Sequence, residues 1–317
     1  MWEFRRAKKL INMSNKIYIV AHTNPDGDAI GSILAMYLAL KTLNKDVHVI
    51  IPSYSKTFSF LEHLDEGIDK VEEDSYDLLI AFDSSDRTRL AISEEDFSKA
   101  KKVLMIDHHR EKDRYGDVCV INAGKPAVCE LLFDFLNYMK IKITREIATY
   151  LYVGIITDTG SLSYSNTTTD TFKAVSKLIS TGINFSEIMY NINNSMTESK
   201  LKLIAYAIDR MEVYEGGKIR FAYVDYETIK SLGVDEEDAE GITNYLRSVK
   251  GTDVAIYVRG KSDGSLKVSL RASERVDVSE VAIKFGGGGH KRAAGYTMKE
   301  EFDIGKKVVI EEFKKLV

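Results

Sequence analysis

The sequence predicts an α/β protein in which a domain built on a mainly parallel sheet is followed by a smaller α/β domain. Three observations predict it. Apolar runs of strand length alternate with stretches of helical spacing through the first half of the chain, the pattern of a parallel sheet with helices on its faces. Three of those runs close on Asp or His residues, and in such sheets the ligand crevice lies outside the carboxyl ends of the strands. The length, 317 residues, exceeds what one core usually organises, so two domains are expected.

Taken in order, MWEFRRAKKLINMSNKIYIV reads as a first helix leading into a strand, because no apolar stretch of signal-peptide length follows its basic residues. The runs 17–22, 46–52, 76–83 and 102–109 read as strands, and 31–43 has helical spacing. Helices are expected over 126–139, over the segment that ends near Asp158, and over 168–182, the last with Thr168 or Thr169 as cap and Gly182 as stop. Residues 193–214 read as an interdomain helical linker. The remainder, 215–317, alternates short strands with a helix or two and closes on DIGKKVVIEEFKKLV. The expected organisation is therefore a domain over 1–192, a linker over 193–214 and a second domain over 215–317.

Composition narrows the class. An apolar fraction of 44% with 29% charged residues and three prolines is that of a globular chain, and no segment has the uninterrupted apolar length of a membrane span. Cys119 and Cys129 have no metal-ligand spacing and read as reduced packing residues; with the missing signal peptide, a cytoplasmic location is expected. A net charge of −4 argues against a partner as large as duplex nucleic acid, whose binding rests on clustered Lys and Arg.

The chemistry sits in four separated motifs. HTNPDGDAIGS (22–32) places His22, Asp26 and Asp28 in one short loop between a strand and a helix, a mixed N/O donor set suited to Mn²⁺. FDSSD puts Asp83 at the end of an apolar strand; IDHH holds Asp107, His108 and His109; GIITDTGS adds Asp158. Alone, Asp83 reads better as a turn residue. Two adjacent imidazoles beside a carboxylate are more specific, since one can ligate while the other serves substrate or a leaving oxygen. Asp26, Asp28, Asp83 and Asp158 carry four negative charges, which two divalent cations balance; clustered without metal they should show raised pKa values.

These residues resemble the DHH phosphoesterases, a family named for the triplet that stands here as Asp107, His108 and His109, and the motifs follow the family's order over nearly the whole chain. The resemblance implies two divalent cations, Mn²⁺ first with Mg²⁺ or Co²⁺ as alternatives. One would be held by His22, Asp26 and Asp83, the other by Asp28, Asp83, His108 and Asp158, with Asp83 bridging. Asp107 would orient His108, and His109 would contact the phosphate or protonate the leaving group. The reaction implied is attack on phosphorus by a hydroxide that the two cations make available, with Asp28 or Asp83 orienting it.

FGGGGHKRAAG (285–295) is the second strong signal. Its glycines permit a backbone whose N–H groups converge on an anion, and a basic triplet follows. It resembles the DHH-associated domain of the subfamily that contains nano-RNases, pAp phosphatases and dinucleotide phosphodiesterases. That implies substrate binding by Gly287, Gly288, Gly289, His290, Lys291 and Arg292, and by Arg271 in SLRAS as a phosphate clamp, in a cleft between the domains. Arg271 could instead pair with Glu274 on the surface. Tyr164 and Tyr296 are candidates for base stacking, with core or surface packing the simpler reading of each. Asp86 could be a helix cap or could bias the site against more anionic substrates. The expected substrates are short linear nucleotides such as pApA or nano-RNA, with pAp and cyclic di-AMP as alternatives. A non-catalytic nucleotide sensor should lack a ligand, and none is missing. A homodimer is compatible with the resemblance.

Overall fold

The computed structural model of the chain describes residues 2–109, 113–193, 196–236 and 238–317. It divides into two compact units, Met1–Ser195 and Met196–Val317.

In the first unit the chain runs α1 (Trp2–Met13), β1 (Lys16–Val20), α2 (Gly27–Lys41), β2 (Asp46–Ile50), β3 (Leu78–Phe82), α3 (Glu94–Ser98), β4 (Val103–Asp107), β5 (Val118–Ile121), α4 (Val128–Met139), α5 (Arg145–Asp158), α6 (Thr169–Ile179) and α7 (Phe185–Asn193). The five strands are all parallel, in the order β2-β1-β3-β4-β5. Strands β3 and β4 are buried throughout, which is why they read as unbroken apolar runs rather than alternating ones. The strand order reverses between β1 and β3, so the crevice of this sheet falls where His22 and Asp83 leave their strands. Short β5, whose VCVI is only half apolar-buried, and α7 were not anticipated; neither has the length or periodicity of its neighbours.

Helix α2 begins four residues before the expected start. Asp26 is its N-cap, with Oδ1 accepting from the N–H groups of Asp28 and Ala29 at 3.0 Å each, so Asp28 stands in the first helical turn and not in a loop. An Asp at this position satisfies amide donors that the helix start leaves open. Helix α6 is capped by Thr168 in a reciprocal capping box with Thr171, as its sequence indicated.

Helices α2 and α5 approach closely under the crevice. A Cβ on Gly154 would lie 2.3 Å from Cys129 Sγ and 2.7 Å from Asp28 Oδ1; only glycine fits there, and its bareness lets α5 carry Asp158 alongside Asp28. Cys129 is buried and free, a packing residue in this contact.

The second unit comprises α8 (Glu198–Asp209), β6 (Glu212–Tyr214), β7 (Ile219–Val224), α9 (Tyr226–Ser231), α10 (Ile242–Ser248), β8 (Val254–Gly260), β9 (Leu266–Ala272), α11 (Val278–Lys284), β10 (Gly288–His290), β11 (Ala293–Met298) and α12 (Phe302–Lys314). Its mixed sheet has the order β10-β11-β9-β8-β7-β6, with β7 and β8 the parallel pair. The stretch 193–214 is more than a linker. Leu203, Ile204 and Ala207 of α8 are buried with Ala222, Val224 and Ile229, and β6 pairs antiparallel with β7. The polar residues that open this stretch conceal the apolar stripe by which α8 joins the second core. No helix among the described residues is long and apolar enough to cross a membrane.

Candidate metal centre

Every acidic and imidazole residue singled out in the first unit comes to the carboxyl ends of β1, β3 and β4 or to the facing ends of α2 and α5. Three groups of potential ligand atoms each lie within 4.8 Å of one another: His22, Asp26 and Asp83; Asp28, His108 and Asp158; and Asp83, His108 and His109. Asp83 and His108 each belong to two groups, so together they form the middle of the cluster.

Asp83 follows β3 with φ 53°, a left-handed conformation that costs most side chains about 1–2 kcal/mol and that Asp tolerates better than most. Backbone strain of this kind collects at functional sites. Its Oδ2 lies 3.7 Å from His22 Nε2, and its Oδ1 lies 3.5 Å from His108 Nε2 and 3.3 Å from His109 Nδ1. Burial opposes ionisation of Asp83, but His108 and His22 hold its carboxyl below the usual range.

The other carboxyls behave as crowded acids. Asp28 is fully buried, and its two oxygens accept from Val128 N–H (2.5 Å) and Cys129 N–H (2.8 Å), which makes it a cap for the start of α4 from another helix. Burial, then the charge of Asp83, pushes its pKa up to about 7. Asp158 is pushed up to about 10 by burial and by Asp28, Asp26 and Asp83. His108 rises to about 10 against its burial, because Asp83 and Asp28 favour the cation. A cluster of carboxyls retaining protons near neutrality is the expected signature of a cation site without its cations.

The residues fit such ions. His22 Nδ1, Asp83 Oδ1 and His108 Nε2 are buried without a hydrogen-bond partner, and unsatisfied buried polar atoms call for an explanation. Three N/O donor sets meet at one place, the chemistry of Mn²⁺ or Mg²⁺ sites rather than of sulfur-rich ones.

One expected role shifts. Asp107 does not orient the His108 ring. Its Oδ1 accepts from the backbone N–H of His108 (2.7 Å) and of His109 (3.0 Å), and it lies 2.9 Å from His109 Nδ1. The His108 ring is fixed by a residue that its own motif does not contain: Nδ1 lies 3.1 Å from the Lys125 carbonyl. With the proton on Nδ1, Nε2 is the free donor atom. Asn166, also missed, donates to the Asp158 carbonyl at 3.1 Å. A backbone carbonyl supplied by a loop leaves no side-chain signal in sequence. Asp86 caps the short 3₁₀ turn Arg87–Arg89 through Thr88 N–H (3.0 Å), which accounts for its carboxylate.

In the second unit, Gly288 to His290 form an edge strand instead of an open loop. The N–H of Gly287 donates to the Ala282 carbonyl at 2.8 Å, so it closes α11 and is not aimed at an anion. A Cβ on Gly287 would lie 2.2 Å from the Gly295 carbonyl oxygen, and one on Gly289 2.5 Å from that of Ala293, whereas Gly288 has nothing within 4 Å. Gly287 and Gly289 are thus glycines of packing, and Gly288 is bare toward open space. Register aligns His290, Ala293 and Arg271 in one row and, two positions along on the same face, Gly288, Gly295 and Ser269 in another. The sheet face there is a floor of small residues flanked by an imidazole and a guanidinium. Glu274 pairs with Arg292 and not with Arg271; Lys291 is exposed. Tyr296 is 2% exposed and stacked on Phe285, which removes it as a base-stacking residue, while Tyr164 is 57% exposed.

Comparison with known proteins agrees with this geometry. The model of the DHH family, N-terminal domain, matches residues 16–155, and that of the DHHA1 domain matches 216–317. A Thermus thermophilus protein named bifunctional oligoribonuclease and PAP phosphatase NrnA is 31% identical over 94% of this chain and 89% of its own. The protein of the same name from Bacillus subtilis is 26% identical over 90% of each chain. The crystal structure of an exopolyphosphatase-related protein from Bacteroides fragilis superposes with a TM-score of 0.93 at 26% identity, covering 99% of this chain and 96% of that one. The chain belongs to the DHH family: it is a phosphoesterase whose DHH domain is followed by a DHHA1 domain.

Proposed function

We propose that the protein hydrolyses short linear ribonucleotides such as pApA to mononucleotides, and that it also removes the 3′-phosphate of pAp. The observation that carries the reading is the convergence of two ligand groups, His22–Asp26–Asp83 and Asp28–His108–Asp158, about Asp83. It is supported by the relatives named bifunctional oligoribonuclease and PAP phosphatase. We assign one divalent cation to each group, Mn²⁺ before Mg²⁺ or Co²⁺, with Asp83 shared. Such ions supply Lewis acidity to phosphoryl oxygens and lower the pKa of water.

The chain's own residues do the rest. His109 has its Nδ1 2.9 Å from Asp107 Oδ1, and although burial opposes the charge, Asp107 and Asp83 raise its pKa. An imidazolium held in this way can give a proton to the departing oxygen. Asp83 and Asp28 orient the attacking water. Arg271, with His290 and Lys291, binds phosphate in the second unit, where guanidinium geometry suits two phosphoryl oxygens at once. Arg292 pairs with Glu274.

Side-by-side rates on pApA, pAp, cyclic di-AMP and pyrophosphate with Mn²⁺ test the reading. The linear dinucleotide and pAp should be turned over, and cyclic di-AMP and pyrophosphate more slowly. Preferred hydrolysis of pyrophosphate would sink it.

The glycine row gives a second test. Gly288→Ala meets no neighbour, so the melting temperature should stay within about 2 °C of wild type while KM for pApA rises on the order of tenfold, the loss of about 1.4 kcal/mol of binding. Gly287→Ala collides with backbone and should lose about 1–3 kcal/mol of stability. An unchanged KM in Gly288→Ala would remove this row from the substrate site.

A further inference from the structure

The three residues of one ligand group share a support. Asp28 is held by the N–H groups of Val128 and Cys129. His108 Nδ1 lies against the Lys125 carbonyl. Asp158 is tied through Asn166, whose amide donates to the Asp158 carbonyl at 3.1 Å and to the Pro126 carbonyl at 3.5 Å. All three connections end on residues 125–129, the turn that enters α4. The group His22–Asp26–Asp83 has no such connection among the described residues: Asp26 is fixed by the start of its own helix and Asp83 by β3 and the Ile106 carbonyl.

Something must hold that turn. Lys125 Nζ reaches back to Glu130 Oε1 at 2.8 Å and to Asp134 Oδ2 at 2.6 Å. Glu130 is 1% exposed, and its second oxygen is buried without a partner. Its neighbours Val128, Cys129, Leu131 and Leu132 are apolar and buried. A carboxylate in that company costs more than an apolar residue of the same size would, so packing alone does not account for it.

We propose that Glu130 and Lys125 are positioning residues: their ion pair fixes the turn whose carbonyl presents the His108 ring, and so sets cation affinity at the Asp28–His108–Asp158 group while leaving the other group alone. The inference rests on the two-cation reading given above. The residues that ligate and those that position them are often separate, and loss of the latter costs about 10- to 100-fold in metal affinity.

The test is Mn²⁺ titration calorimetry on the full-length protein, with Asp158→Asn identifying which of two binding events belongs to this group. Glu130→Gln should weaken that event about tenfold and leave the other within about threefold. Because Glu130→Gln alone leaves Lys125 partly unpaired, the double variant Lys125→Met/Glu130→Met is the companion. Replacing a buried ion pair by apolar residues usually preserves stability, yet the same event should weaken. A separate readout is the His108 Nδ1–H resonance in ¹⁵N-histidine-labelled, metal-free protein, protected from solvent exchange in wild type and unprotected in both variants. Lys125→Arg, which keeps the charge beside Glu130, should retain both properties. Binding events unchanged in both variants, or weakened equally, would overturn the proposal. A wild type that binds one equivalent would overturn the two-cation reading instead; Nδ1–H protection then decides the positioning role, and its persistence in both variants would overturn that too.

Discussion

Asp83→Asn is expected to lose turnover of pApA by about a thousandfold or more, even at saturating Mn²⁺. Its oxygens face His22, His108 and His109, and among the described residues no other carboxylate stands in that position. Asparagine is the informative replacement. It adopts the left-handed conformation that Asp83 requires (φ 53°) more readily than alanine, so it removes charge without adding backbone strain. The effects on stability oppose each other. The imidazoles lose a buried partner, but Asp28 and Asp158 lose one of the charges that raise their pKa values. The metal-free melting temperature should therefore change less than in Asp83→Ala. Turnover at the wild-type rate with saturating Mn²⁺ would remove Asp83 from the centre.

Much of this centre was legible in the sequence because His22, Asp83 and Asp107 to His109 stand at the ends of apolar strands. A strand that is buried on both faces must end where polar residues begin, and in a parallel sheet those ends share one edge. Thus Asp83 after LLIAF and Asp107 to His109 after VLMI declared their common location before any coordinates did. What connects ligands to their supports was not legible. Lys125 acts on His108 through a backbone carbonyl, which any residue type could provide. Asp28 caps a helix 100 residues away, and that partnership depends on the packing of α2 against α4. The glycine run is not uniform. Four identical letters serve at least two purposes, since Gly287 and Gly289 press on backbone and Gly288 faces open space. Similarly, the polar first turn of α8 reads as a linker, although Leu203, Ile204 and Ala207 bury as one stripe.

Cation binding should displace protons, and the number displaced should fall as pH rises. In the metal-free centre Asp158 and His108 have pKa values near 10 and Asp28 near 7, so at pH 6 all three hold protons that ligation must expel. The sign of the stability change follows from linkage. Each group binds its proton more tightly folded than unfolded, where Asp titrates near 3.9 and His near 6.5. Its contribution is therefore fully present below the unfolded value and is lost as pH climbs through the folded one. The metal-free first unit should become less stable between pH 6 and pH 10, the contribution of Asp28 being gone by about pH 7 and those of Asp158 and His108 by about pH 10. The cation-saturated protein should not follow, because its ligands are already deprotonated and neutralised. The stabilisation conferred by Mn²⁺ should therefore widen with pH, each displaced proton making binding about tenfold tighter per pH unit, against a baseline of about 2.7 kcal/mol for each site at one hundred times its Kd. Calorimetry at pH 6.5 in buffers of different ionisation enthalpy should count about two protons or more released per molecule, and melting curves at pH 6 and pH 8 should show the larger Mn²⁺ shift at pH 8. Binding without proton release would mean that these carboxyls and His108 are not the groups that meet the cations.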